Sequence, residues 1–315
     1  MMVTSITVGV ILVVERGNGD MKRIFILMGK TLLLAVIFAV ANYVGILLAP
    51  FSEAFREMSG GTPPSAALYL LVLGLWNAVI LGLVVHKSRW GGIATSLCLL
   101  LILFTVSYFQ TQVETIIFQE ALTAISVYDA LMLMVSGIIT LVIFVPIGVL
   151  LHGGFKRQYN PLQDDRLKLQ NKWQKLGILS VVYVAVYFLF GYFVAWQFPE
   201  LRLYYSGTME NMGLAYQLRT SLALVPLQLI RGAVFTLSAM GLRYVLNKNK
   251  LVFVLSVVML FMTSGIMMLL PNPIFPDAVR IGHLYELLSS MLVYGLITGL
   301  VLDASPRQAI RALYN

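Results

Sequence analysis

Charged residues are scarce in this sequence. They occupy 11% of its 315 positions, whereas a soluble domain carries about 25%. Hydrophobic residues occupy 59%, against about 45–50% in soluble domains. This balance lies outside the range of ordinary globular domains and excludes a soluble enzyme or binding module.

Cysteine is nearly absent, and so are the signature motifs of common cofactor sites. The single Cys98 lies inside an apolar run, which excludes a disulfide framework and a thiolate metal site. No stretch matches a P-loop, a dinucleotide fingerprint, a zinc-protease helix or a Ser-x-x-Lys nucleophile. We therefore expect no cofactor.

Long apolar runs are abundant instead. Runs of about 20 apolar residues, the length that crosses a hydrocarbon core, recur along the chain. Only helices or closed barrels satisfy the backbone in lipid, and uninterrupted apolar runs exclude the barrel. The predicted fold is an all-α, multi-pass membrane bundle. Its eight spans cover residues 27–50, 66–86, 92–110, 129–151, 176–197, 220–243, 251–270 and 282–302.

The N-terminal segment 1–23 contains a short apolar run that is ambiguous. Residues 3–14 are too few to span a bilayer, and no small-residue cleavage site follows them. Met21, followed by Lys22 and Arg23, is an alternative start of the chain.

Lysine and arginine alternate between the predicted loops. Most of the 22 lie in one set of loops, which includes the basic segment 152–175. The positive-inside rule then places both termini and this segment in the cytoplasm of a cell membrane. The net charge of +8 thus reflects orientation in a lipid bilayer, and no nucleic-acid partner is expected.

One stretch of sequence occurs twice. Residues 117–131 read IFQEALTAISVYDAL, and residues 274–288 read IFPDAVRIGHLYELL. The two copies share Tyr128/Tyr285 and keep an acid at Asp129/Glu286. An acid-and-tyrosine pattern is harder to match by chance than leucine and valine are. The match predicts an internal duplication.

The duplication divides the chain into two units of four spans. They cover residues 24–151 and 176–303, with the linker 152–175 between them and a tail at 304–315. Tyr43 aligns with Tyr192, and Asn77 aligns with Arg231. Because four spans is an even number, both units have the same orientation. We expect a pseudo-two-fold axis along the membrane normal.

Arg231 is the most unusual residue, because it lies near the middle of the sixth span. An arginine there costs about 2.5–3.5 kcal/mol on insertion scales, so intramembrane ionisable groups usually mark a ligand or ion pathway. Gln228, Arg231 and Ser238 share one helical face. The alternative is a structural ion pair. Glu286 is the expected partner of Arg231, and Glu114 is the second choice.

The eighth span carries several chemically active side chains on one face, among them Arg280, His283 and Glu286. The His-x-x-Glu spacing places imidazole and carboxylate side by side, which suits a hydrogen-bonded pair or a proton relay. As a metal site His283 and Glu286 are a weak candidate, since a closed site needs three or four ligands. Glu114, Arg231, Arg280 and His283 have no like partner in the opposite repeat.

These residues lead to a functional hypothesis with two alternatives. We expect an outward-facing cavity between the repeats that binds or transports a small polar, anionic solute. Protonation of Glu286 or His283 would be coupled to binding. One alternative is an intramembrane enzyme that uses His283 and Glu286 as an acid–base or metal pair. The other is a structural or assembly subunit of a membrane complex. The residues assigned to the site are Arg231, Glu114, Glu286, His283, Arg280 and Gln228.

Overall fold

A computed structural model describes residues 21–60, 63–119, 122, 125–156, 169, 171–246, 249–272 and 274–303. Within these ranges eight helices are long and apolar enough to cross a membrane. The chain is therefore a multi-pass, all-α membrane protein, and the predicted fold class is confirmed at that level. The start of the N-terminal segment, Glu120, most of the linker and the tail lie outside the described residues.

The eight helices are numbered in chain order. They are α1 (Met21–Leu48), α2 (Ala66–Lys87), α3 (Gly92–Ile117), α4 (Val127–Leu151), α5 (Lys172–Gln197), α6 (Leu222–Val245), α7 (Lys250–Met267) and α8 (Asp277–Asp303). Each predicted span falls on one of them. The largest difference is in α3, which continues to Ile117 instead of ending near residue 110, so that Glu114 lies on the helix itself.

The two ends of the bundle differ in their connections. We call the end where α1 ends and α2 begins the outer end, and the end that carries the lysine-rich and arginine-rich loops the inner end. Three short helices lie in the outer connections. They are Glu53–Ser59, Pro199–Ser206 and Leu214–Ser221.

The packing order is the same in the first four helices and in the last four. Helix α1 packs on α2 and α4, and α3 packs on α4. Likewise α5 packs on α6 and α8, and α7 packs on α8. The two sets meet where α2 packs on α7 and where α3 packs on α6. Each set therefore has one helix pair that contacts the other set.

Two glycines allow helix backbones to touch inside the sets. A Cβ atom on Gly74 of α2 would stand 2.6 Å from the carbonyl oxygen of Ala35 in α1. A Cβ on Gly232 of α6 would stand 3.0 Å from the carbonyl oxygen of Ser180 in α5. Such close approach between membrane helices requires small residues at the contact.

The boundary between the two sets is closed by hydrogen bonds at the inner end. Ser88, the first residue after α2, forms an isolated antiparallel bridge with Leu246, the first residue after α6. The backbone N–H of Arg89 donates to the carbonyl of Val245 at 3.0 Å, and its Nη2 donates to the carbonyl of Tyr244 at 2.7 Å.

An aromatic layer fills the interior of the second set. Tyr183 of α5 lies 5.0 Å from Tyr294 of α8 between ring centroids, and Phe235 of α6 lies 5.1 Å from Phe261 of α7. All four side chains are buried. Phe235 follows Arg231 by one helical turn, so this layer separates Arg231 from the inner end.

Candidate functional site

An ion pair joins the two sets of helices at the outer half of the bundle. Arg231 of α6 places Nη1 2.7 Å from Oε1 of Glu114 in α3. The arginine side chain is 6% exposed, whereas the glutamate side chain is 30% exposed. The expectation that Glu286 is the partner is wrong, and the second choice, Glu114, is the residue that the fold brings to Arg231.

Amide side chains complete the surroundings of Arg231. Gln228 is fully buried one turn earlier on α6, and its Oε1 accepts from Nη1 of Arg231 at 3.2 Å. Gln110 of α3 donates from Nε2 to the carbonyl oxygen of Arg231 at 2.9 Å. The polar face predicted on this helix therefore points into the protein, toward α3.

The geometry of α3 depends on an irregular turn that the sequence did not predict. Residues Thr105–Phe109 form a π-helical turn between the α-helical segments Gly92–Phe104 and Gln110–Ile117. A π-turn holds one residue more than the α-helix and is frequent at functional sites. It determines the rotation of the outer segment, and thereby directs both Gln110 and Glu114 toward α6.

Two buried donors beside the ion pair have no acceptor. Within the part of the chain that the structure describes, neither Nε of Arg231 nor Nε2 of Gln228 makes a hydrogen bond. A buried donor without a partner costs about 1–3 kcal/mol. Tyr183 faces the guanidinium, with its ring centroid 5.8 Å from Cζ, but supplies no hydrogen-bond acceptor for Nε. The arrangement is suited to an additional oxygen atom.

A second polar cluster lies on α8 and on the short helix Pro199–Ser206. Nδ1 of His283 is 2.9 Å from Oε2 of Glu286, and Nε2 of His283 is 3.0 Å from the hydroxyl of Tyr205. The predicted pairing of His283 with Glu286 is thus present, and Tyr205 is an additional partner of the imidazole that the sequence analysis did not assign to the site. Among the described residues no three His, Cys, Asp or Glu side chains are grouped to hold a metal ion.

Charges from both clusters act on two tyrosines, Tyr187 and Tyr205. The charges of Glu114, Glu286 and Arg231 all act on the buried hydroxyl of Tyr187 in α5. Burial raises the pKa of Tyr205, and the charges of Glu114 and Glu286 raise it further. Tyr205 is therefore a neutral phenol near both acids and can donate or accept a hydrogen bond.

Arg280 belongs to a different structural unit. Its Nε and Nη2 donate to Oδ1 of Asp277, and its Nη1 donates to the carbonyls of Met268 and Leu269 just beyond the end of α7. A cation at a helix C-terminus is favoured by the helix dipole and by the unpaired carbonyls there. The structure therefore uses Arg280 to hold the α7–α8 connection, and its hydrogen bonds do not reach Arg231 or Glu286.

Sequence reasoning missed several contributors to the site. Gln110 shares a helical face with Glu114, so a signal for it existed. Tyr205 is one of several aromatic residues near the outer ends of the helices, and no sequence pattern distinguishes it from the others. No sequence pattern indicates Tyr187.

No family model, no curated protein and no solved structure matches this chain.

Proposed function

We propose that this protein is a carrier or receptor in the cell membrane that binds a small polar, anionic solute at Arg231 from the outer end. The proposal rests on one observation: the buried Nε–H of Arg231 and the neighbouring amide Nε2 of Gln228 have no hydrogen-bond acceptor. Its counter-ion Glu114 is 30% exposed. A solute carboxylate or phosphate can therefore approach from the same side as Glu114.

The comparison of three buried arginines near the outer end supports this role. Arg202 donates to the carbonyls of Met209 and Trp196, and Arg280 donates to Asp277 and to two carbonyls. Both hold loops together. Arg231 is the deepest of the three in a spanning helix and keeps a buried donor without an acceptor. A purely structural arginine would be expected to have its buried donors satisfied.

Charge balance indicates how an anion would bind. Arg231 is already neutralised by Glu114, so a solute carboxylate has to replace that side chain. The exchange leaves the charge at the guanidinium unchanged. The gain comes from filling Nε of Arg231 and the amide of Gln228, while Glu114 turns toward water. Binding is then specific for solutes that present two or more acceptor oxygens.

We further propose that the two sets of helices are a 4+4 parallel repeat, with the site on the boundary between them. The common packing order within the sets supports this. So do the contacts between them, because a two-fold axis that relates α2 to α6 and α3 to α7 turns the α2–α7 contact into the α6–α3 contact. The Ser88–Leu246 bridge joins the first residue after α2 to the first residue after α6, which suits a two-fold axis between them.

Helix register gives independent support for the repeat. When Tyr43 is aligned with Tyr192 and Asn77 with Arg231, the Gly74–Ala35 contact maps onto Gln228 and Val184. The observed contact joins Gly232 to Ser180, one turn from each mapped position and in opposite directions along the two chains. Because α5 and α6 are antiparallel, these opposite shifts keep the pairing of the helices unchanged. The α1–α2 and α5–α6 pairs therefore have the same register.

The structural alternative also has a specific observation in its favour. The Glu114–Arg231 pair and the Gln110 hydrogen bond both cross the boundary between the two sets. An assembly subunit that uses these groups only to hold helices together would need the same contacts. Ligand binding separates the two functions, since a structural subunit has no affinity for a small anion.

The test is thermal unfolding of the purified chain with sodium acetate or inorganic phosphate at constant ionic strength. We expect one of the two anions to stabilise the protein by about 1.4 kcal/mol at ten times its dissociation constant. Arg231→Gln should remove the stabilisation, because the open donor is lost. Arg280→Gln is the matched control; it should lower stability and keep the anion effect. Absence of stabilisation by both anions, or its survival in Arg231→Gln, overturns the proposal.

A further inference from the structure

Tyr205, His283 and Glu286 form a hydrogen-bonded chain of side chains that takes no part in binding an anion at Arg231. We infer that this chain is a proton-binding site coupled to the anion site, so that the solute binds together with a proton. The inference rests on the proposed function of Arg231. It assigns a second substrate, the proton, to a separate group of residues.

The geometry permits the chain to gain or lose a proton without losing a hydrogen bond. When His283 is neutral, its Nδ1–H donates to Glu286 and the hydroxyl of Tyr205 donates to Nε2. When His283 is protonated, both ring nitrogens donate, and the hydroxyl of Tyr205 rotates to accept. The proton adds to the lone pair of Nε2 and is released from it, so no other bond forms or breaks.

The equivalent position in the first repeat lacks a titratable base. The sequence alignment that pairs Tyr128 with Tyr285 places Ser126 opposite His283 and Asp129 opposite Glu286. Ser126 contacts Asp129 at the same spacing along the helix.

Asp129 has a purely structural set of partners. Its carboxylate also accepts from the backbone N–H and the hydroxyl of Ser52, at 2.9 and 2.8 Å. The acid in the first repeat is thus held by fixed donors, while its counterpart Glu286 has His283 as its hydrogen-bond partner. The second repeat has a proton acceptor where the first has a helix cap.

The residues around His283 connect it electrostatically to the anion site. On its own helix it lies between Glu286 and Arg280, and Arg280 carries Asp277 as its counter-ion. The rings of Tyr205 and Phe275 contact the imidazole. The charge of Glu114 acts on Tyr205, whose hydroxyl contacts Nε2 of His283. The charges of Glu114, Glu286 and Arg231 all act on Tyr187 of α5.

Electrostatics then gives the sign of the coupling. An anion at Arg231 releases Glu114 from its counter-ion, which leaves one additional negative charge in this region. Added negative charge favours protonation of a nearby base. By reciprocity, protonation of the His283–Glu286 pair strengthens anion binding by the same factor. Affinity should therefore be highest at low pH and fall as the pair loses its proton.

The experiment measures acetate and sulfate binding to the full chain by calorimetry between pH 6 and pH 8, a range in which both anions keep their charge. We expect the dissociation constant to rise with pH by no more than about tenfold per pH unit, over a total of about 5–150-fold, and then to level off. Parallel titrations in two buffers with different ionisation enthalpies should show net proton uptake on binding. His283→Ser, which copies the first repeat, and His283→Gln should both flatten the pH dependence and abolish the proton uptake.

A histidine at the inner end supplies the control. Burial, with Lys30 and His86 nearby, lowers the pKa of His152 to about 4, so it stays neutral over the range that is measured. His152→Gln should therefore leave the pH dependence unchanged. Binding that is independent of pH, or proton uptake that survives in both His283 variants, overturns the coupling and leaves the anion site standing. Absence of acetate and sulfate binding at every pH overturns both.

Discussion

The Glu114–Arg231 pair is asymmetric, and this asymmetry determines what each residue contributes. The guanidinium is 6% exposed and depends on Glu114 as its only acidic partner among the described residues. The carboxylate is 30% exposed and can be hydrated when its partner is absent. Removing either side chain therefore has different consequences, because an unpaired buried charge is costly and an unpaired exposed one is not.

We expect Glu114→Gln to destabilise the protein by about 3 kcal/mol, near the range for breaking a buried pair. Arg231→Gln should cost about 1 kcal/mol, since Glu114 is then solvated. The double variant should be more stable than Glu114→Gln alone. Chemical unfolding of the three variants in one detergent measures these differences. A larger loss for Arg231→Gln than for Glu114→Gln would contradict this account of the pair.

At the scale of elements, α3 is the helix that the site depends on most. Its π-turn at Thr105–Phe109 is followed directly by the segment that carries Gln110 and Glu114. Each residue of an α-helix turns the chain by about 100°. The direction of Glu114 is therefore set by the number of residues between the inner part of α3, which packs on α4 and α6, and the outer segment.

Insertion of one alanine after Phe109 should rotate Gln110 and Glu114 away from α6. The coupling energy between residues 114 and 231 in a double-mutant cycle, about 0.5–3 kcal/mol in the native chain, should then fall to zero. An alanine inserted after Ile117 lies beyond Glu114 and is the matched control, in which the coupling should persist. Coupling that survives the first insertion would show that the turn does not direct Glu114.

At the scale of the whole molecule, the alternation of basic loops predicts its orientation in the membrane. The inner end carries the basic segment 152–175, and the outer end carries Glu114 and the three short helices. If both termini are cytoplasmic, Arg231 is reached from outside the cell. Under the proposed function, the solute would therefore enter from outside the cell.

Single cysteines in a Cys98→Ser background test this orientation. A cysteine at Asn211 should react with an impermeant maleimide applied to intact cells, because this residue is exposed in an outer connection. A cysteine at Gln163, in the basic linker, should react only after the membrane is permeabilised. Labelling of Gln163 in intact cells together with protection of Asn211 would reverse the orientation and the proposed side of entry.

Local properties of the chain were predictable from the sequence. The eight spans follow from runs of apolar residues, because the bilayer requires every crossing segment to satisfy its own backbone. The His283–Glu286 contact was equally predictable, since residues three apart on one helix are neighbours whatever surrounds them. The burial of Gln228 and Arg231 followed from the same periodicity.

The tertiary structure alone decided which groups meet across the bundle. Depth in the membrane favoured Glu286 as the partner of Arg231, but depth does not reveal which helices are neighbours. The packing of α3 on α6 and the rotation at Thr105–Phe109 bring Glu114 to Arg231. The return of Pro199–Ser206 over α8 likewise brings Tyr205 to His283. Contacts between residues far apart in the chain depend on the packing of every helix between them, and no local pattern encodes that packing.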